Sequence, residues 1–270
     1  MTANRIEACF DRLRHERQAA FIAYLTAGDP HLDATVELVH TLERAGVDIV
    51  ELGIPFSDPL ADGPTIQAAS GRALAAGTTV AGVLESVRTI RRQSEIPIVL
   101  FTYLNPVYTY GFDRFHADAA AAGADGVLLL DLPPDEAEQS AEFSATHGLK
   151  LIRLVAPTTP PDRIAHLCAT AEGFIYYVSR EGVTGEQTSL SDSIEARVAE
   201  IRKHTTLPVA VGFGISTPEQ SAAVARVADG VVVGSAIVRK IGEHESDPDL
   251  VQKVEDFVRP LTTAAKRDAV

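Results

Sequence analysis

Ala45-Gly46-Val47-Asp48-Ile49-Val50-Glu51-Leu52-Gly53 returns as Ala122-Gly123-Ala124-Asp125-Gly126-Val127-Leu128-Leu129-Leu130-Asp131. A degenerate third copy is Val227-Ala228-Asp229-Gly230-Val231-Val232-Val233-Gly234-Ser235. In the two full copies, a Gly suited to the left-handed cap of a helix precedes a small residue, an Asp and an apolar run. The run is too short for a helix and does not alternate, so it reads as a strand buried on both faces.

The same reading extends to Phe21–Ala27, Pro97–Tyr103, Leu149–Ala156, Gly173–Ser179 and Pro208–Gly214. Two of these open on a proline, which suits the first residue of a strand. Eight strand candidates result, starting near residues 21, 49, 97, 126, 149, 173, 208 and 230. Helical stretches fill the intervals, Val80–Gln93 and Pro218–Val227 among them. The second follows Ser216-Thr217, an N-cap candidate with Pro and then Glu behind it. Eight β-α units in 270 residues predict an α/β fold, a (β/α)8 TIM barrel with extra N-terminal and loop helices. An open doubly wound sheet would carry a dinucleotide fingerprint after its first strand, and Thr26-Ala27-Gly28-Asp29-Pro30 is not one. No linker divides the chain, so residues 1–270 are expected to form a single domain. The polar tail from about Glu243 ends in a helical stretch read as packing or fraying.

Composition narrows the function. Lys+Arg 24 against Asp+Glu 37 leaves a net charge of −13, and no basic cluster offsets it, which argues against nucleic acid. No run approaches the roughly 18 apolar residues of a membrane helix. The first residues lack the apolar stretch of a secretory signal, so a cytoplasmic protein is expected. Cys9 and Cys168 form neither metal spacing nor a disulfide framework, and both lie away from strand ends. The eight histidines show no ligand spacing and are expected at the surface.

In a barrel, chemistry gathers where the strands end at their C-termini. Alternation places Glu51 on one face with Ile49, opposite Val50 and Leu52. An inward Glu51 is a general acid and base with a raised pKa; an outward one caps a loop or meets a salt-bridge partner. Asp58 and Asp62 sit in a Pro/Gly-rich loop, where turn hydrogen bonds are the common alternative to function. Three acids so close leave a magnesium site open, though no His joins them. The segment 179–188 is polar and Gly-punctuated, a lid or an ordinary exposed loop. Gly212-Phe213-Gly214 and Gly234-Ser235 follow strands seven and eight, where barrels often seat phosphate; each is otherwise a tight turn. Asp131 at the end of strand four either joins the chemistry or fixes the neighbouring loop.

Glu51-Leu52-Gly53-Ile54-Pro55 with Phe56-Ser57-Asp58-Pro59-Leu60-Ala61-Asp62-Gly63-Pro64-Thr65-Ile66-Gln67 closely resembles the tryptophan synthase alpha chain family. The likeness runs from about Phe10 to Lys240. It takes in Tyr24-Leu25-Thr26-Ala27-Gly28-Asp29-Pro30, Tyr103-Leu104-Asn105-Pro106, Ser179-Arg180, Gly182-Val183-Thr184-Gly185, Gly212-Phe213-Gly214-Ile215 and Gly234-Ser235-Ala236-Ile237-Val238. The resemblance implies catalytic Glu51 and Asp62, with Tyr176 beside the reacting centre. It implies a substrate pocket of Tyr24, Ile66, Phe101, Tyr103, Leu128, Leu130, Leu154, Thr184 and Phe213, and a phosphate seat at Gly185, Gly214, Gly234 and Ser235. The implied reaction is retro-aldol cleavage of indole-3-glycerol phosphate to indole and glyceraldehyde 3-phosphate, with neither metal nor cofactor in this chain. A partner beta chain carrying pyridoxal phosphate is implied, in an alpha2-beta2 tetramer, contacting Pro55, Asp58, Asn105 and Pro106. Tyr24 replaces a common Phe and Glu181 a common Ser or Thr, changes that bear on pocket polarity and lid closure.

Other phosphate-binding barrel lyases and isomerases would want a lysine at a strand end, and Lys150 lies at the start of its strand. A non-catalytic activator of a beta chain would not need both acids. A stand-alone indole-3-glycerol phosphate lyase is left open.

Overall fold

A computed structural model describes residues 4–132, 137–179, 187–212 and 214–267. Its strands are β1 (Ala20–Thr26), β2 (Ile49–Gly53), β3 (Ile98–Thr102), β4 (Gly126–Leu129), β5 (Lys150–Leu151), β6 (Arg153–Val155), β7 (Ile175–Val178), β8 (Val209–Gly212) and β9 (Gly230–Val233). All eight pairings are parallel, in the order β5-β4-β3-β2-β1-β9-β8-β7-β6. β5 and β6 are one predicted strand interrupted at Ile152, whose N–H bonds Val127 O at 2.9 Å. This strand pairs with β4 through β5 and with β7 through β6, which closes the ring. The expected eight-stranded barrel is therefore present.

Alternation sorts the side chains into two cores. Ala20, Ile22, Ile49, Val99, Leu128, Ile152, Phe174, Ala210 and Val232 fill the barrel. Phe21, Val50, Leu52, Leu100, Val127, Ile175, Val211 and Val231 belong to the outer layer beneath the helices. The N-terminal helix α1 (Arg5–Glu16) plugs the foot of the barrel with Ile6, Cys9, Phe10 and Leu13, joining the interior cluster. Asn4 starts it as N-cap, its side chain accepting from Ile6 N.

The aspartates of the repeat have a common task. Asp48 donates its N–H to Phe21 O at 2.9 Å, and its Oδ2 accepts from Phe21 N at 2.9 Å. Asp125 brackets Ile98 in the same way, at 2.8 Å in both bonds, and Asp229 brackets Val209 at 2.9 and 2.8 Å. Glu172 repeats the device on Leu151, more loosely, at 2.9 and 3.4 Å. Each acid thus supplies the first rung between adjacent strands, at an end where the ladder would otherwise leave a strand N–H unpaired. Cations balance the buried ones: Arg91 and Arg5 on Asp125 at 2.7 and 3.0 Å, and Arg12 and Lys266 on Asp48 at 3.2 and 3.3 Å.

Among the described residues the remaining helices are α2 (Leu32–Arg44), α3 (Pro64–Ala75), α4 (Val80–Arg91), α5 (Leu104–Tyr110), α6 (Phe112–Ala122), α7 (Ala137–His147), α8 (Pro161–Ala169), α9 (Gln187–Ile201), α10 (Pro218–Ala225), α11 (Ser235–Glu243) and α12 (Leu250–Arg267). α3, α5 and α11 are the extra loop helices. Thr217 caps α10 in a capping box with Gln220. The tail is packing rather than fraying: Val254, Val258, Leu261 and Ala265 of α12 are buried, and Thr262 bonds Ala45 O at 2.6 Å.

One expectation fails. His116 of α6 is fully buried rather than superficial, ringed by Phe112, Phe115 and Phe143 with centroids 4.7, 5.5 and 6.1 Å away. Its Nδ1 lies 2.8 Å from Phe112 O, and its Nε2 has no partner. The helical face it occupies is otherwise apolar, and a neutral imidazole completes it. No helix among the described residues is long and apolar enough to cross a membrane.

Candidate active site

Glu51 is inward and wholly enclosed, and neither carboxyl oxygen has a hydrogen-bond partner among the described residues. Burial alone pushes its pKa up to about 8, because the apolar surroundings penalise the charged form. The outward alternatives, loop cap and salt bridge, are thereby removed. Its partner in the neighbouring strand is Tyr24, and the Tyr24 ring meets Phe101 edge-on at 5.1 Å. Tyr24 and Tyr176 are both held in the neutral phenol form, first by burial and then, for Tyr176, by the charge of Glu51.

Gly53, two residues beyond Glu51, lies under the Tyr24 hydroxyl; a Cβ there would sit 2.2 Å from the oxygen. Gly212 likewise receives the Tyr176 hydroxyl, 2.5 Å from where its Cβ would be. Two glycines therefore make room for two phenols at the mouth of the barrel.

Asp62 is half-buried in the loop between β2 and α3. Burial raises its pKa, and a hydrogen bond donated by the Tyr103 hydroxyl to Oδ2 at 3.0 Å opposes that. Asp58 behaves differently: it is exposed, and its carboxylate accepts from Ser57 Oγ at 2.5 Å. Asp131 fixes a neighbouring loop, its Oδ1 accepting Leu104 N at 2.7 Å. Among the described residues no three His, Cys, Asp or Glu side chains are grouped to hold a metal. Cys9 and Cys168 are buried away from this region, and burial pushes Cys9 up to about 11.

A cavity of about 300 Å³ opens at this end of the barrel. It brings together Tyr24, Asp62, Ile66, Phe101, Leu130, Leu154, Tyr176, Gly214, Gly234 and Ser235 of the expected site residues. Leu128 lies below it in the barrel core, and Tyr103 stands behind Asp62 rather than in the lining. Thr184, Gly185 and Phe213, with the centre of the expected lid, fall outside the described residues. Pro55 and Pro106 are buried within the chain, whereas Asp58 and Asn105 are at the surface.

Gly212 and Ser179, named from the sequence as parts of the phosphate loop and of the lid segment, line the cavity too, and so does Val232, which sequence reading did not single out. Val232 was accessible from strand alternation, being in phase with Gly234. Gly234 is the N-cap of α11 without a side-chain cap bond, and with Ser235 it lines the cavity, so the N-terminus of this helix borders it. Gly214 adopts φ +56°, a left-handed turn that suits Gly. No Lys or Arg lines the cavity among the described residues.

An enclosed acid inside a parallel barrel, whose cavity is lined by a second carboxylate and a helix N-terminus, defines a barrel enzyme that works on a small ligand by acid–base chemistry. The family described as Tryptophan synthase alpha chain matches residues 10–266. A tryptophan synthase alpha chain of Geobacter sulfurreducens is 51% identical over 261 residues, covering 97% of this chain and 98% of that one. One from Solibacter usitatus is 52% identical over 257 residues, covering 95% and 96%. The crystal structure of the alpha subunit from Legionella pneumophila superposes with a TM-score of 0.90 at 41% identity, covering 98% and 99%. The chain belongs to the tryptophan synthase alpha chain family, and is a lyase of tryptophan biosynthesis.

Proposed function

We propose that Glu51 is the acid–base group and Asp62 the charge-stabilising carboxylate in the reaction of this family, cleavage of indole-3-glycerol phosphate to indole and D-glyceraldehyde 3-phosphate. The observation that carries the assignment is the complete enclosure of Glu51, with no hydrogen bond or counter-ion among the described residues. A carboxyl group held neutral to about pH 8 can deliver a proton near neutrality, which an ordinary Glu seldom can.

Glu51 protonates ring carbon C3, and the ring nitrogen takes up positive charge. Ionised Asp62 accepts the ring N–H and stabilises that charge. The Glu51 carboxylate then removes the proton of the C3′ hydroxyl as the C3–C3′ bond breaks. The electron pair of that bond restores the indole ring, and the glycerol carbon becomes the aldehyde. Glu51 ends protonated, as it began. Tyr176, a neutral phenol beside Glu51, orients the glycerol chain. For this chemistry to proceed, the Glu51 carboxyl must face the bound substrate between Tyr24 and Tyr176.

Tyr24, Ile66, Phe101, Leu130 and Leu154 suit the planar indole, with Leu128 as a deeper support, and Thr184 and Phe213 are assigned to the same substrate by the family resemblance. Phosphate is seated by backbone N–H groups at Gly185, Gly214, Gly234 and Ser235. The α11 dipole adds about 0.3–1 kcal/mol, so an anion is held without a lysine or arginine in a chain of net charge −13.

The whole chain acts as one barrel domain in the cytoplasm, with a beta chain as partner in an alpha2-beta2 tetramer. Pyridoxal phosphate resides in that beta chain. Asp58 and Asn105 lead the contact, with Pro55 and Pro106 shaping the loops beneath them. The test is release of glyceraldehyde 3-phosphate from indole-3-glycerol phosphate, with a beta chain present, by the natural chain and by Glu51→Gln. A Gln variant that binds substrate but does not turn over supports the assignment; near-normal cleavage by it refutes it.

A further inference from the structure

We infer that Tyr103 is a positioning residue that fixes the Asp62 carboxylate, rather than a wall of the substrate pocket. The inference rests on Asp62 acting as proposed above.

Asp62 needs such a support. From Pro55 to Gly63 the chain is an irregular loop, and its internal bonds are short-range turns, Leu60 N to Asp58 O at 2.9 Å and Asp62 N to Pro59 O at 3.0 Å. Gln67 of the following helix α3 holds Asp62 O at 2.9 Å, which fixes backbone but not carboxylate. Among the described residues, the only hydrogen bonds from the barrel to residues 55–63 come from Tyr103.

The Tyr103 hydroxyl does two things at once. Ala61 N donates to it at 3.0 Å, and it donates to Asp62 Oδ2 at 3.0 Å. Because the backbone N–H occupies the acceptor side of the oxygen, the phenol proton is directed at the carboxylate. Among the described residues no hydrogen bond reaches Asp62 Oδ1, which leaves it to an incoming N–H donor. One oxygen is therefore tethered and the other presented.

Tyr103 is itself held rigidly. It is 5% exposed, and its ring packs on Phe56 at 5.3 Å. It directly precedes α5, whose first residue Leu104 is anchored through its N–H to Asp131. Asp131, which the proposed chemistry leaves unused, thereby helps to set Tyr103, and Tyr103 sets Asp62. The cavity lining does not include Tyr103. The other titratable groups electrostatically coupled to Asp62 are Tyr24 and Tyr176, which also feel Glu51, and no cation lines the cavity among the described residues. Tyr103 is thus the neutral donor on which the ionised state of Asp62 depends.

Tyr103→Phe keeps the ring and its packing on Phe56 and deletes only the hydroxyl. The full chain with saturating beta chain should lose about tenfold or more in kcat, the scale of one charge-assisted hydrogen bond. KM should move by no more than about twofold, as expected when orientation rather than ground-state binding is lost. The acid limb of the rate profile should shift to higher pH, because a carboxylate deprived of a donor holds its proton more tightly. On an Asp62→Asn background the same change should add little. A folded Tyr103→Phe enzyme with kcat and acid limb unchanged overturns the inference. So does a lower kcat with an unmoved acid limb, which is the mark of a structural role, or a loss that multiplies with that of Asp62→Asn. Should Asp62→Asn alone retain full activity, the role of Asp62 falls, and this inference with it; an inactive Asp62→Asn beside a normal Tyr103→Phe removes only the inference.

Discussion

Tyr24 and Glu51 face each other across the first pair of strands, register partners whose side chains both enter the barrel. The acid therefore has a tyrosine beside it and, among the described residues, no ion to pair with.

Glu51→Gln should abolish turnover while altering stability in a pH-dependent way. The folded-state pKa of Glu51 is raised to about 8, from 4.5 in an unperturbed chain. Between these values the folded protein binds the extra proton, so the stability this group permits is present at low pH and lost as pH rises through that window. Thermal melts of the natural chain should decline more steeply toward alkaline pH than those of Glu51→Gln. Parallel slopes would show that Glu51 is not held neutral. The activity of the natural enzyme should fall as pH rises through about 8, since the cycle begins from the protonated acid.

Gly53→Ala places a methyl group where the Tyr24 hydroxyl lies, 2.2 Å from its oxygen and 2.7 Å from Cζ. Overpacking of this kind costs about 1–3 kcal/mol, and here the displaced ring is part of the cavity wall. We expect reduced stability together with a raised KM for the indole substrate. Introducing Tyr24→Leu first should remove most of the additional penalty, a coupling that a double-mutant cycle measures.

Asp125→Ala strips Arg91, whose side chain is 10% exposed, of its carboxylate and leaves Ile98 N without its acceptor. Loss of a buried pair of this type costs about 3–5 kcal/mol. Asp229→Ala removes the same bracket, but its ion pair with Arg202 is 46% and 41% exposed and screened by water, so the loss should be smaller. Urea unfolding of the two variants gives the ranking, and equal losses would contradict the role assigned to burial.

His116 should make the protein acid-sensitive. Its pKa is lowered from 6.5, chiefly by burial. The unfolded chain therefore takes up a proton more readily than the folded one, and stability falls as pH drops below the ordinary histidine range. His116→Leu should flatten the loss of melting temperature between about pH 7 and pH 5. An unchanged slope would assign the acid sensitivity to other groups.

Strand positions were legible because a strand buried on both faces has few ways to be written: β-branched runs, opened by Asp or Pro and closed by Gly. Alternation put Glu51 on the same face as Ile49 but left open which face looked inward, and the structure settles that by placing Ile49 in the barrel core. The interruption at Ile152 was not legible, since it reflects how two neighbouring strands diverge and leaves no mark in Leu149–Ala156. Nor was the second function of Asp48, Asp125 and Asp229. Their recurrence was visible, but the N–H groups they accept come from strands 20 to 27 residues earlier in the chain. Tyr103 shows the same limit more sharply. It was expected in the pocket, and its contact with Asp62, 41 residues away in sequence, depends on the path of a loop that no periodicity describes. His116 was misplaced because a polar residue on an apolar helical face is ordinarily solvated.

The acid brackets at the foot of the barrel also bear on how the mouth tolerates change. A slip of one residue between β1 and β2 would exchange the two faces of β2, putting Val50 or Leu52 where Glu51 stands and turning the carboxylate under the helices. Asp48 prevents this by gripping both the N–H and the carbonyl of a single residue, Phe21. The phase of each strand is set at the end remote from the substrate. Loops at the mouth can therefore lengthen, shorten or exchange residues over evolutionary time without the acid losing its place.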